Sequence, residues 1–296
     1  MKRRSTGIIN AIIGSSSYGT NPLFALPLFA HGIGVNSVLF YRYCLATLIY
    51  GAYIRFVKHL SFKITFNQGI ALFILAILFS LSSLTLFTAF NYIPSGIACT
   101  ILFVYPIMVA VISTVFFKEK LTFITVSAIA LTLSGIIFLN NNGDANINLK
   151  GLVYVLVSAL MYALYMVGIK NIKSIRHIKK PVLTFYVMFF GLSVYIYNLN
   201  FCTELQMLNT PILWAFAFGL AIIPTIISLE ATTIAIKLVG PTITAIFGAL
   251  EPLTAITFGL IFFHEIFTLK IAVGIILILT GVTLIVLKGG KKSNSN

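Results

Sequence analysis

Ten apolar stretches, each about as long as a bilayer is thick, follow one another through this chain with almost nothing between them. They run roughly over 7–30, 37–57, 68–90, 95–117, 121–140, 150–170, 181–199, 211–236, 241–263 and 268–287. A helix that crosses the hydrocarbon core needs about 20 apolar residues. Inside lipid, each backbone N–H and C=O must be satisfied within the protein, and a helix does so within its own segment. The longest connections, such as 199–210, span about a dozen residues, so a separate soluble catalytic or nucleotide-binding domain has no room. Composition agrees: 59% of residues are hydrophobic and 9% charged, where a soluble domain is about a quarter charged. The expected fold is all-α and integral to the membrane, with ten transmembrane helices. The "MKRR" start resembles a signal peptide, but the apolar run behind it is too long and lacks an A-x-A cleavage pattern. It is expected to be the first retained helix.

The net charge of +14 orients the chain rather than pointing to nucleic acid. If the stretches alternate across a bilayer, seventeen basic residues fall on one side, from Lys2, Arg3 and Arg4 through the Lys170–Lys180 loop to Lys288, Lys291 and Lys292. The other side holds Lys150 and Lys270, and Arg42 lies within a helix. Basic loops stay in the cytoplasm, so both termini are expected there, in a multi-pass protein of the cell (inner) membrane. Cys44, Cys99 and Cys202 have neither disulfide nor metal spacing. They read as small packing residues, and no cofactor or metal is expected.

The chain also repeats itself. "FVYPIMVAVISTVFFKEKLT" (103–122) aligns without a gap on "ALEPLTAITFGLIFFHEIFT" (249–268), with Pro106 on Pro252, Glu119 on Glu265 and Thr122 on Thr268. At the same offset of 146 Gly135 meets Gly281, and at an offset of 144 "GIINAIIGSSSYG" (7–19) lies over "GLVYVLVSALMYA" (151–163), Gly7 on Gly151 and Tyr18 on Tyr162. Five expected spans separate the copies, and an odd number of crossings turns the second copy over. Lysines then suit Glu119 on the basic side, and His264 and Ile266 stand in their places beside Glu265. Two inverted five-helix repeats are expected, over 7–140 and 150–287, followed by a basic tail at 288–296. Inverted repeats can exchange conformations around a site at the midplane, which points to transport.

With these residues in hand the chain resembles the EamA-type transporters of the drug/metabolite transporter superfamily. The likeness rests on "FYRYCLATL" (40–48), "YP…FFKEKLT…SG" (105–135) and "VGPTITAIFGALEPLTA…FFHEIFT…TG" (239–281). It implies ten helices, cytoplasmic termini and a substrate cavity near the third, fourth, eighth and ninth helices. Many members export amino acids or other small metabolites. Tyr18 stands where the family's first helix often carries tryptophan.

Ionisable side chains within a bilayer are expensive and therefore informative. Glu251 is expected near mid-depth of the ninth helix, beside Pro252, where its repeat mate is the neutral Tyr105. It would bind a substrate ammonium, take up a proton, or lock the two halves by hydrogen bonding. Arg42 either snorkels to the interface or faces the cavity and grips a carboxylate. Glu230 shares a helix face with Thr233 and Lys237, a stripe that reaches for the membrane edge. Tyr18 and Asn21 form a candidate wall in the first helix. Thr85, with Ser82 and Thr88, and Ser228, with Thr225 and Thr232, form polar stripes suited to ligand or to neighbouring helices.

Other classes fit poorly. No HExxH pair is present, "GSSSYG" (14–19) lacks nucleophile-elbow spacing, and "GGKKSN" (289–294) is not a phosphate loop. Nothing resembles a selectivity filter. The expected function is secondary transport of small polar metabolites, as export, with lipid flipping or metabolite import as alternatives. The expected partners are a small-molecule substrate and the bilayer, with the chain a monomer or homodimer.

Overall fold

A computed structural model describes residues 2–117, 127, 130, 131, 134, 135, 148–248, 250–263 and 268–293. All regular elements among them are helical. In order they are α1 (Lys2–Tyr18), α2 (Asn21–Ala30), α3 (Val35–Ala52), α4 (Phe66–Ala89), α5 (Ser95–Leu102), α6 (Tyr105–Phe117), α7 (Leu149–Asn171), α8 (Lys180–Asn198), α9 (Pro211–Ala221), α10 (Ser228–Phe247), α11 (Leu250–Phe263) and α12 (Leu269–Ser293). A π-helical turn extends α3 over Tyr53–Val57, and another joins α9 to α10 over Ile222–Ile227. Most of the fifth apolar stretch, with Glu119, Thr122, His264 and Glu265, lies outside the described residues.

Five described segments are long and apolar enough to cross a membrane: Val35–Val57, Phe66–Ala89, Leu149–Ile169, Lys180–Asn198 and Pro211–Thr232. The first and fourth expected stretches are instead broken. Gly19 and Thr20 part α1 from α2, and Phe103 and Val104 part α5 from α6. Pro22 and Pro106 follow as second residues of the new helices, where a missing N–H costs no helical bond. The carbonyls left open at the end of α1 are closed by side chains: Thr20 donates to Ser17 O at 2.6 Å and Asn21 to Tyr18 O at 2.9 Å.

The eighth and ninth stretches differ from expectation in another way, because α10 runs through their supposed junction and through Pro241. A Cβ on Gly7 would meet Leu238 and Val239, and one on Gly14 would meet Thr232 and Ser228. So α10 runs antiparallel to α1. Gly19, further along α1, instead lies against Glu251 and Thr254. From Gly7 to Gly19 is about 18 Å of helical rise, and the chain climbs back that distance between Val239 and Glu251. The reversal of direction therefore falls between Val239 and Glu251.

The two halves grip each other reciprocally. Gly7 lies against Leu238 and Val239, while its mate Gly151 lies against Tyr92 and Ile93, the residues 146 positions earlier. Ser228 donates to Gly14 O at 2.8 Å, and at the mated crossing Ser158 donates to Ser82 O at 2.7 Å. Thus α1 crosses α10 as α7 crosses α4. Between helices in lipid there is no hydrophobic drive, so close backbone approach at small residues and interhelix hydrogen bonds carry the association. Leucine, isoleucine and phenylalanine side chains such as Leu48, Phe66, Phe189, Ile261 and Leu269 face outward. So broad an exposed apolar surface suits lipid and not water.

One connection is tied down. Gln206, between α8 and α9, bonds to Gly34 N–H and donates to Gly32 O at 3.0 Å, and Tyr41 donates to its carbonyl at 3.1 Å. The 199–210 loop is thereby stapled to the α2–α3 turn.

A Cβ at Gly14 would stand 3.0 Å from Thr232 N and 3.3 Å from Ser228 O, while at Gly69 its nearest neighbour is Ile64 Cδ1 at 3.8 Å. Gly14→Ala should destabilise by about 1–3 kcal/mol through overpacking and lower the melting temperature in detergent. Gly69→Ala should leave that temperature unchanged or raise it.

Candidate functional site

The site forms where the broken helices meet. Because Gly19 has no side chain, the backbone of α11 passes close beside it, with Glu251 O only 2.4 Å from where a Cβ would be. This close approach brings Glu251, the second residue of α11, against the end of α1. The Glu251 side chain is buried at 8% exposure. Among the described residues its carboxylate has neither a hydrogen-bond nor an ion-pair partner. Three tyrosines from three helices surround it within electrostatic reach: Tyr18 of α1, Tyr105 of α6 and Tyr162 of α7.

The surroundings are aromatic. Tyr105 and Tyr162 pack edge to face with centroids 4.7 Å apart, Tyr162 stacks on Tyr165 at 5.9 Å, and Phe79 lies 4.9 Å from Tyr165. Such ring pairs contribute about 0.5–1.5 kcal/mol beyond burial. Tyr18, Tyr105 and Tyr162 are half-buried. The repeat relation is visible here as well. Tyr162 packs on Tyr105 across the two halves, and its mate Tyr18 lies within electrostatic reach of Glu251, the mate of Tyr105, again across the halves. One pairing is wholly aromatic; the other carries a carboxyl.

Arg42 does not snorkel. Its side chain is 1% exposed, and the guanidinium carbon sits 5.2 Å from the Phe87 ring centroid. Pro224, in the π-turn, has no N–H to offer the carbonyl one turn back, which is that of Leu220. The Thr225 hydroxyl donates to that carbonyl at 2.9 Å, and Thr225 Oγ1 accepts from Arg42 Nε at 2.8 Å. Arg42 Nη1 is buried without an acceptor. Arg42 and Glu251 both lie within electrostatic reach of Tyr18, yet they form no ion pair with each other.

The remaining expected residues divide. Asn21 is buried beside Tyr18, its amide nitrogen spent on the α1 terminus and its Oδ1 without a partner. Ser228 is committed to Gly14 O at the α1–α10 crossing. Thr85 returns its hydroxyl to its own helix, at 2.9 Å from Leu81 O and 3.1 Å from Ser82 O. Glu230 lies apart, half-buried, with Tyr50 and exposed Lys58 as electrostatic neighbours. Tyr165, Phe79 and Phe87 were not anticipated. A signal for Tyr165 existed: it lies three residues beyond Tyr162, the repeat mate of Tyr18, on the same helical face.

The profile of the EamA-like transporter family matches residues 5–141 and 149–287, once for each repeat. The chain belongs to the EamA-like transporter family. It is a multi-pass membrane protein of a transporter family. An uncharacterised transporter of Archaeoglobus fulgidus is 31% identical over 83 residues, 28% of this EamA-like chain and 29% of that relative. The match thus spans under a third of the relative's length. A crystal structure whose title names no function shares the fold, with a TM-score of 0.67 at 15% identity, over 97% of this chain and 98% of that one.

A buried cation without a counter-charge destabilises the protein that holds it, and an apolar residue of similar size is often neutral or stabilising in its place. Arg42→Met should therefore leave the melting temperature in detergent unchanged or higher. A fall equivalent to more than about 2 kcal/mol would mark Arg42 as a structural anchor instead.

Proposed function

We propose that this protein is a secondary transporter of the cell (inner) membrane that exports small polar metabolites, amino acids or related compounds, by alternating access. In this reading ten transmembrane helices form two inverted five-helix repeats, over 7–140 and 150–287, with the 288–296 tail and both termini in the cytoplasm. The single observation that carries the proposal is that the Arg42 guanidinium and the Glu251 carboxyl, both buried and both within electrostatic reach of Tyr18, are not paired with each other. A structural ion pair would join them; a site for a polar solute keeps them apart.

The reciprocal crossings supply the mechanics. The α1–α10 and α4–α7 contacts are tight and hydrogen-bonded, so each moves as a unit. The breaks at Gly19–Thr20 and Phe103–Val104 lie beside the site, and their freed backbone allows the α1–α10 unit to rock against the α4–α7 unit. Glu251 holds the substrate's ammonium group or the coupling proton, and an ion or substrate gradient drives the cycle.

The test is uptake of a metabolite panel into proteoliposomes under an imposed proton gradient. Gradient-driven flux of at least one polar metabolite is expected from the native protein, with Glu251→Gln losing it by tenfold or more at unchanged folded yield. Undiminished, proton-dependent flux in that variant would remove Glu251 from the mechanism.

Topology has its own test. Single cysteines placed at Lys118 and at His264 in a cysteine-free background should react with impermeant thiol reagents from opposite faces of the membrane. Labelling from one face would end the inverted arrangement.

A further inference from the structure

Arg42 is the largest fully buried side chain among the described residues, and it is built into place rather than merely enclosed. One guanidinium nitrogen is fixed by an ordered relay, Leu220 carbonyl to Thr225 hydroxyl to Arg42 Nε. The plane of the group lies near the rings of Phe87 and Tyr43, at 5.2 and 6.0 Å from their centroids. With Nε anchored and Phe87 close by, the fork at the other end is held in one orientation. Nη1 belongs to that fork and has no acceptor.

Among the described residues the phenols of Tyr18 and Tyr195 lie within electrostatic reach of the guanidinium, and neither supplies a fixed negative charge. Glu251, the nearest described acid in the site, is not paired with it. A guanidinium cannot shed its proton, so the charge persists, and a buried persistent cation requires an anion from elsewhere. Its planar fork matches a carboxylate in two parallel hydrogen bonds.

We infer that Arg42, oriented by Thr225 and bounded by Phe87, is the subsite that takes the carboxylate of the transported molecule. This rests on the transporter reading above and narrows its substrates to carboxylates. Thr225 acts as a positioning residue through Arg42. Phe79, Tyr105, Tyr162 and Tyr165 pack into an aromatic wall whose Tyr105 lies within electrostatic reach of Tyr18, so the carboxylate's carrier presents an apolar or aromatic portion there.

The experiment measures thermal unfolding of the purified full-length protein with acetate, 4-methylpentanoate and 3-phenylpropionate, each set against its own carboxamide at pH 7.5. Acid and amide share shape and differ in charge, so the ratio of their apparent affinities isolates the guanidinium's preference. Ligand that binds only the folded state raises the unfolding temperature with concentration. The acids are expected to bind at least tenfold more tightly than their amides to the native protein. Arg42→Met should erase that ratio, Arg42→Lys should retain part of it, and Thr225→Val, which keeps the cation and releases Nε, should reduce it severalfold.

Equal binding of acid and amide, no stabilisation by any acid, or an undiminished ratio in Arg42→Met would each overturn the inference. The transporter reading is judged separately by flux. An acid preference at Arg42 with no metabolite carried would keep the subsite and end the carrier. Carriage of amines or amides as readily as acids would keep the carrier and end the subsite.

Discussion

The contact on which the rest of the structure depends is the close crossing of α1 with α10, repeated where α7 crosses α4. Lipid offers helices no hydrophobic reason to associate, so backbones must come near enough for dispersion and for hydrogen bonds such as Ser228 to Gly14 and Ser158 to Ser82. Glycines at 7, 14, 19 and 151 make that approach possible. The last link in the first crossing, Gly19 against the Glu251 backbone, also delivers the carboxyl to the centre. Packing and site assembly are therefore one event along α1.

The duplicated frame is symmetric, and the chemistry is not. Tyr162 against Tyr105 is the aromatic counterpart of Tyr18 against Glu251, and Arg42 stands on the polar side with Thr225 and Phe87. Arg42 and Glu251 are both buried, and among the described residues neither has an ion-pair partner. A buried ionised group without a partner is costly, so the centre, unlike the frame, is not built for packing alone.

Much of this was readable in the sequence. The repeat identified Tyr105 as the mate of Glu251 and Tyr18 as the mate of Tyr162, and the structure joins all four. The 7–30 and 95–117 stretches were each expected as one helix, and each resolved into two, with Pro22 and Pro106 just past the breaks. The eighth and ninth stretches were divided at 237–240, whereas α10 runs through these residues to Phe247. Arg42 was ambiguous for a physical reason. A helix surrounded by lipid and by other apolar helices is hydrophobic on all sides, so no stripe tells which face looks inward.

Taken alone, the order of residues determined that this chain must live in a bilayer, that it is built twice, and that one copy carries a carboxyl where the other has a phenol. Those properties follow from local hydrophobicity and from alignment, and neither requires knowing what touches what. Only the tertiary structure decided that Arg42 turns inward, that Ser228 serves a helix crossing, that Glu230 stands apart, and that Arg42 and Glu251 share a tyrosine without pairing. The direction a side chain takes from an all-apolar helix is set by which neighbours pack against it, and that choice is made across more than a hundred residues of intervening chain.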